Sequence, residues 1–151
     1  MVLDECVYVK VMKKSSRRID EIIVHCTATA EGKPFTVEDI RQWHKARGFA
    51  DIGYHYLVYL DGSIHDGRDV DKQGAHCTGH NAHSIGVCYV GGCAADGKTP
   101  KDTRTKIQRS ALLGLLMALK LIYPQARIRG HRDYANKACP SFDATEEYKG
   151  I

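Results

Sequence analysis

The sequence has no apolar run close to the roughly 20 residues that a membrane-spanning helix requires. Its first 18 residues also lack the continuous apolar stretch and the small-residue cleavage site of a secretion signal. Basic residues follow the apolar ones in this segment, which reverses the order of a signal peptide. We therefore expect a protein that is made in the cytoplasm without a secretion signal and that has no membrane partner.

Cysteine pairs of the CxxC type are also absent, although the chain has six cysteines. Without such pairs, and without a signal toward an oxidising compartment, we expect free thiols rather than a disulfide framework. A dense basic stripe is missing too, since the formal net charge is +4 and the basic residues are scattered. We expect no nucleic-acid partner. The mild positive charge fits either an ordinary solvated surface or attraction to an anionic polymer such as a bacterial cell wall.

No internal repeat, linker or biased tract divides the 151 residues. A chain of this length suits one domain, which buries roughly 70% of its unfolded surface and needs no disulfides to fold. Residues 1 to 20 are the least patterned part of the sequence. We predict an N-terminal segment over residues 1 to 20, one folded domain over residues 21 to 151, and a monomer.

Hydrophobic patterns predict strands mixed with two substantial helices, and therefore an α/β domain with helices packed on a central, mainly mixed sheet. Thr36 is predicted to cap the first helix and Gly48 to end it. Trp43 falls on the apolar face of this helix, so we expect it in the core. Asp61-Gly62 predicts a hairpin turn. The predicted elements cover residues 22 to 24, 37 to 47, 54 to 60, 63 to 66, 84 to 90, 107 to 123, 126 to 130 and 145 to 148.

Three residues that close or follow predicted strands could bind a metal. His25 closes the first strand, His131 closes the last one, and Cys139 comes eight residues after His131. Two neutral imidazoles and one thiolate form a zinc site with an open fourth position, as catalytic zinc sites do. Each residue also has an ordinary alternative. A strand-end histidine often only satisfies hydrogen bonds, and a lone cysteine often packs as a small apolar side chain.

Five stretches of the chain, in this order, resemble motifs of the N-acetylmuramoyl-L-alanine amidases of T-odd phage lysozyme type. That family shares its fold with animal peptidoglycan recognition proteins. The resemblance spans roughly residues 20 to 143, and five ordered motifs are far more specific than any single one. The stretches are VHCTAT (24 to 29), IRQWHKARGFADIGYHY (40 to 56), DGSIHDGRD (61 to 69), AHCTGHNAHSIGVCYVGG (75 to 92) and GHRDYANKACPSFD (130 to 143).

The resemblance implies a Zn²⁺ site at His25, His131 and Cys139, in VHCTAT, GHRD and KACPSFD. It also implies that Tyr54, in GYHY, lies beside the reacting water, and that Lys137 stabilises developing negative charge. The ordinary alternatives are a packed aromatic ring for Tyr54 and a solvated surface charge for Lys137.

The segment from residue 76 to residue 84 resembles the family's substrate-groove loop. His76, Asn81 and Ser84 are therefore candidates for contacting a muramyl peptide, with loop capping and turn formation as the alternative. Arg68 is a weaker candidate. Cys77 and Cys93 are extra thiols near the predicted groove. We interpret the remaining histidines as structural or surface residues: His44, His55, His65, His80 and His83.

The resemblance implies zinc-dependent hydrolysis of the amide bond between N-acetylmuramic acid and L-alanine in bacterial peptidoglycan. It also implies action on the cell wall by a protein that a phage or prophage encodes. Three alternatives stay open. A non-catalytic peptidoglycan-binding module would lack a zinc ligand, usually the cysteine. A thiol hydrolase would use Cys139 or Cys26 with a histidine base. A regulatory protein would bind another protein, for which the basic N-terminal segment could serve.

Overall fold

A five-stranded mixed sheet forms the centre of the structure, a computed structural model that describes residues 12–151. The strands in chain order are β1 (Glu21–Cys26), β2 (Thr29–Ala30), β3 (Tyr56–Val58), β4 (Ile64–Asp66), β5 (Ser84–Tyr89), β6 (Gly92–Cys93) and β7 (Arg127–Gly130). Their order in the main sheet is β4-β3-β5-β1-β7, while β2 and β6 pair separately. Strand β1 is parallel to both of its neighbours. Strands β3 and β4 form the predicted hairpin across Asp61-Gly62, where Gly62 has a φ of +83°.

Within residues 12–151, three α-helices accompany the sheet: α1 (Val37–Ala46), α2 (Lys106–Ile122) and α3 (Ala144–Glu147). The predicted cap of α1 is confirmed, because the Thr36 hydroxyl accepts from the Asp39 amide and the Asp39 carboxylate accepts from the Thr36 amide. Thr105 and Gln108 form the same reciprocal cap on α2. The prediction of an α/β domain with helices on a mixed sheet is confirmed.

The two long helices cover opposite faces of the sheet. Side chains alternate along each strand, so successive residues pack against different helices. Ile22 and Val24 of β1 join the larger apolar cluster, in which α2 contributes four leucines. Strand β5 divides in the same way, and Cys88 belongs to the smaller cluster with Ile40 of α1. Alternation therefore directs the intervening residue His25 toward the face that α1 covers.

Trp43 does not lie in the core, so that prediction is wrong. The residue is 41% exposed. Its ring packs edge-on against Phe35, with the ring centroids 4.8 Å apart. The apolar face of α1 is narrow, and Ile40 and His44 are its buried residues. Trp43 lies one position before His44 and falls at the edge of this face.

The described part of the N-terminal segment packs against the folded unit. The Ser15 amide donates to the Tyr123 hydroxyl at 2.8 Å, the Ser15 hydroxyl donates to the Val70 carbonyl at 2.6 Å, and Ile19 joins the larger apolar cluster. Residues 1 to 11, which include Cys6 and part of the predicted N-terminal segment, lie outside the described residues. The described cysteines are all free. Among residues 12–151, no helix has the length and apolar character to cross a membrane.

Candidate metal centre

The centre begins at the carboxyl end of β1, where the chain leaves the sheet. His25 is the fifth residue of this strand and is only 1% exposed. Strand β7 runs parallel beside β1 and ends at Gly130, so His131 emerges next to His25 with the two ring centroids 4.7 Å apart. The parallel register of two neighbouring strands thus brings together two histidines that are more than 100 residues apart in sequence.

Cys139 returns to the same point through a closed loop. The Arg132 amide donates to the Cys139 carbonyl at 2.8 Å and joins the two ends of the loop that follows His131. The Asp133 carboxylate accepts from the Gly130 amide at 3.0 Å and fixes the start of the loop. The ligand atoms of His25, His131 and Cys139 consequently lie within 4.8 Å of one another.

The geometry of these three residues fits a zinc ion. His25 Nδ1 and Cys139 Sγ are 3.8 Å apart. Tetrahedral zinc with its usual bond lengths would separate a nitrogen and a sulfur ligand by about 3.5 Å, a difference of a few tenths of an ångström. The Cys26 amide also donates to Cys139 Sγ at 3.2 Å, which favours a thiolate at that position.

The ionisation of the three side chains fits as well. Burial holds the pKa of His25 well below 6.5, and His76 and His131 add to this effect. Burial and the charge of Lys137 lower the pKa of His131. Both imidazoles are therefore neutral near pH 7, as ligands must be. The Cys26 thiol and burial raise the pKa of Cys139, so its ionisation calls for a nearby cation.

A cleft of about 330 Å³ opens beside these three residues. Side chains from α1, from the segment before β3, from the loop before β5 and from the loop after β7 form its walls. The lining residues that matter below are His44, Tyr54, His76, Asn81, His131 and Lys137. The sequence resemblance brought Tyr54, His76, Asn81 and Lys137 to attention, and the fold brings all four to the same cleft.

Tyr54 lies against His25, one of the three candidate metal ligands. Its ring centroid is 5.1 Å from that of His25. Burial raises the pKa of Tyr54 well above 10, with a smaller contribution from the thiol of Cys88, so the phenol is protonated at neutral pH. His44 Nδ1 accepts from the Gly53 amide at 2.8 Å and its ring packs against Tyr54, which fixes the backbone from which Tyr54 projects.

Lys137 differs from Tyr54 because it is exposed at the rim of the cleft. Its positive charge lowers the pKa of both His25 and His131. Among residues 12–151 the ammonium has no hydrogen bond and no ion pair. The ammonium of Lys137 is therefore available to meet negative charge on a ligand in the cleft.

The three predicted substrate contacts occupy different depths. Asn81 lines the cleft, and its Oδ1 accepts from the amides of His76 and Cys77 at 2.9 Å each. His76 is 8% exposed at the cleft wall. Ser84 has no exposed surface, and its hydroxyl lies 3.2 Å from His76 Nε2. Ser84 therefore sits behind His76 rather than on the cleft surface.

Several other residues find structural roles. Arg68 donates to the carbonyls of Asp51, Ile52 and Gln73 and so joins two loops.

Cys77 lines the cleft as expected, whereas Cys93 is buried in β6 and does not line it. Arg47 also faces the cleft and is not among the residues predicted from the sequence. A basic residue at the carboxyl end of a helix is common, so no local pattern could mark Arg47.

Comparisons with known proteins agree with this geometry. A family profile described as N-acetylmuramoyl-L-alanine amidase matches residues 15–142. The chain is 46% identical over 134 residues to the endolysin of Enterobacteria phage K11, which covers 89% of this chain and 88% of that protein. The structure is similar to that of the N-acetylmuramoyl-L-alanine amidase LysC from Clostridium intestinale URNW, with a TM-score of 0.74, 27% identity, and coverage of 87% of this chain and 82% of that one. It is also similar to the ectodomain complex of peptidoglycan recognition proteins LCa and LCx bound to tracheal cytotoxin, with a TM-score of 0.72, 26% identity, and coverage of 93% and 86%.

Proposed function

The chain belongs to the N-acetylmuramoyl-L-alanine amidase family and is a peptidoglycan amidase, and from this premise we propose that its active site is a zinc centre held by His25, His131 and Cys139. The observation that carries the proposal is the convergence of three ligand atoms within 4.8 Å at the end of β1. Two imidazoles that stay neutral and one thiol with a backbone donor match the donor set of catalytic zinc.

Zinc bound there supplies a Lewis acid and makes water a better nucleophile near pH 7. The protein supplies two further groups to the reaction. The Tyr54 hydroxyl, which remains protonated, donates a hydrogen bond that orients the water or the substrate oxygen. The Lys137 ammonium faces the negative charge that develops on the scissile carbonyl oxygen. A donor of this kind commonly accelerates a reaction by about 100- to 1000-fold.

The cleft beside the centre is the proposed binding groove for the muramyl peptide. The related recognition proteins LCa and LCx bind tracheal cytotoxin, which supports a ligand of this class. Asn81 uses its Oδ1 for two backbone amides, which leaves its side-chain N–H groups to donate to the ligand. Ser84 is fully buried, so it supports the His76 ring and does not contact the ligand directly. The K11 endolysin supports a phage or prophage origin and action on the cell wall. We propose that the protein acts as a monomer.

Each competing function predicts a different sequence or response. A non-catalytic binding module would lack a metal ligand, and all three candidates are present. A thiol hydrolase would pair Cys139 with a histidine base, and His25 Nδ1 lies 3.8 Å from its sulfur. Alkylation would then abolish activity, while a chelator would have no effect. A zinc enzyme responds strongly to the chelator and recovers when zinc is returned.

The test is hydrolysis of purified peptidoglycan, followed as loss of turbidity, with and without a chelator. We expect chelation to stop the reaction and added zinc to restore it. The released ends identify the bond: new L-alanine amino groups should appear without new reducing sugars. A glycosidase would produce reducing ends instead. New reducing ends from a homogeneous preparation would contradict the assigned bond, and activity that persists in chelator would contradict the zinc proposal.

Metal content provides a direct test of the ligands. We expect about one zinc per chain in the wild-type protein and a collapse of occupancy in Cys139→Ala. Cys77→Ala is the matched control, because Cys77 also lies at the cleft but belongs to no metal cluster. Stoichiometric zinc in Cys139→Ala would contradict the ligand assignment.

A further inference from the structure

A chain of hydrogen-bonding groups extends from the proposed metal centre into the protein interior. His25 Nε2 lies 2.8 Å from His76 Nδ1, and His76 Nε2 lies 3.2 Å from the Ser84 hydroxyl. We infer that His76 is a positioning residue, which accepts a hydrogen bond from His25 and holds the His25 ring with Nδ1 toward the metal. This inference rests on the proposed role of His25 as a metal ligand.

The direction of each hydrogen bond follows from the two nitrogens of His25. Nδ1 faces Cys139 Sγ at 3.8 Å, so it is the ligand atom and carries no proton. In a neutral ring the proton is then on Nε2, which donates to His76 Nδ1. His76 must therefore carry its own proton on Nε2 and donate it to Ser84 Oγ. In this series each donor faces an acceptor, and the side chains of His25, His76 and Ser84 are all neutral.

The fold provides a slot that fits an imidazole at position 76. A Cβ atom added to Gly74 would lie 2.6 Å from His76 Cδ2, and one added to Gly86 would lie 2.7 Å from the same ring. Both distances are too short for real atoms, so these two glycines leave room for the ring. The Asn81 side chain also accepts from the backbone amide of His76. The ring, its two nitrogens and its backbone are all held in place.

This environment argues against a direct contact with substrate as the main role of His76. Both ring nitrogens have partners within the protein, and only 8% of the residue is exposed. The most direct link from His76 to the reaction passes through His25. Partners of this kind fix the orientation of a metal-binding histidine, and their loss typically weakens metal affinity by about 10- to 100-fold.

The decisive variants are His76→Asn and His76→Leu, which have similar shapes but differ in hydrogen bonding. Asn can place its Oδ1 near the position of the lost Nδ1 and accept from His25, whereas Leu cannot. Zinc affinity is measured by competition with a chromogenic chelator, and the absorption spectrum of the Co²⁺ form reports the ligand geometry. We expect His76→Leu to weaken zinc binding about 10- to 100-fold and to change the Co²⁺ spectrum. We expect His76→Asn to stay within a few-fold of wild type.

Equal weakening by Asn and Leu would overturn the inference, because packing alone would then explain the effect. Unchanged affinity in His76→Leu would overturn it as well. A measurement on the wild-type protein needs no variant to fold: ¹⁵N NMR of the zinc-loaded form should show a proton on His25 Nε2 and none on His76 Nδ1. The opposite tautomer contradicts the inference. A wild-type protein that binds no zinc would instead remove the proposed metal centre, which distinguishes the two failures.

Discussion

Lys137 and Tyr54 line the same cleft in contrasting environments, since Lys137 is exposed and Tyr54 is half-buried beside His25. Neither is proposed as a metal ligand, so Lys137→Ala should keep its zinc and its fold. We expect kcat to fall about 100- to 1000-fold with a smaller change in KM, because the charge that Lys137 meets exists only in the transition state. Lys137→Arg is the matched control and should retain part of the rate. Near wild-type turnover of Lys137→Ala with zinc bound would show that Lys137 is an ordinary surface residue.

Tyr54→Phe separates the hydroxyl from the ring. The ring packs against His25 and His44, so the variant should keep its fold and zinc content. We expect most of the hydrolytic rate to be lost, because the protonated hydroxyl is the group that orients the reacting oxygen. Turnover, metal content and thermal stability are measured on the same preparation. A variant that loses stability but keeps its turnover would assign Tyr54 to packing alone.

The sequence motifs predict which residues lie together at the centre, but they do not predict how deeply each side chain is buried. His25, His131 and Cys139 each follow a recognisable strand or motif, and the structure brings them together. The complete burial of Ser84 could not be predicted. The local sequence around a serine at the start of a strand does not show whether its side chain faces a cleft or lies behind a histidine. Ser84 lies behind His76, whose ring occupies the space that Gly74 and Gly86 leave free.

The buried side chain of Arg104 joins the start of α2 to α3. The Arg104 side chain is 1% exposed, pairs with Asp102 and Glu147, and lies over the Phe142 ring. Removing it leaves two carboxylates without their main partner. We expect Arg104→Ala to lower the free energy of unfolding by about 3 kcal/mol, measured by urea denaturation.

Arg109→Ala is the matched control for this prediction. Arg109 donates to the same Asp102 carboxylate at 3.0 Å, but its side chain is 49% exposed. Its removal should cost about 0 to 1 kcal/mol, as for other exposed ion pairs. Similar losses in the two variants would mean that burial does not strengthen the Arg104 pairs.

Elements with strong local signals agree closely with the prediction, whereas the two-residue strands were not predicted. Helix α2 has a reciprocal cap and a long apolar face, so its predicted span of residues 107 to 123 differs by one residue at each end from Lys106–Ile122. Strands β2 and β6 have two residues each and lie outside the predicted elements. Two residues carry no periodicity, and only the approach of the segments after β1 and β5 creates this pair.

Several histidines of the molecule are neutral because the fold buries them. Burial lowers the pKa of His44 to about 4 and that of His55 to about 4. Their environments stabilise the folded state through hydrogen bonds that include those from the Gly53 and Gly86 amides to Nδ1. Both histidines are among those interpreted from the sequence as structural or surface residues, and both are buried.

These depressed pKa values predict how stability depends on pH in the zinc-free protein. Above about pH 6.5 both histidines are neutral in the folded and the unfolded chain, so their contribution is fully present. As the pH falls from 6.5 toward 4, the unfolded chain binds protons that the folded chain does not, and the free energy of unfolding decreases. Each such histidine contributes a slope of up to about 1.4 kcal/mol per pH unit.

The carboxylates of Asp71 and Asp96 have a pKa of about 2, so the stability that depends on their charge is lost at lower pH. Urea denaturation at pH 7.5, 6 and 5 should therefore show a free energy of unfolding that falls with the pH. In His55→Asn the dependence on pH should be weaker, because unfolding of this variant takes up about one proton fewer. A free energy of unfolding that stays constant from pH 7.5 to 5 would contradict the buried neutral state of these histidines.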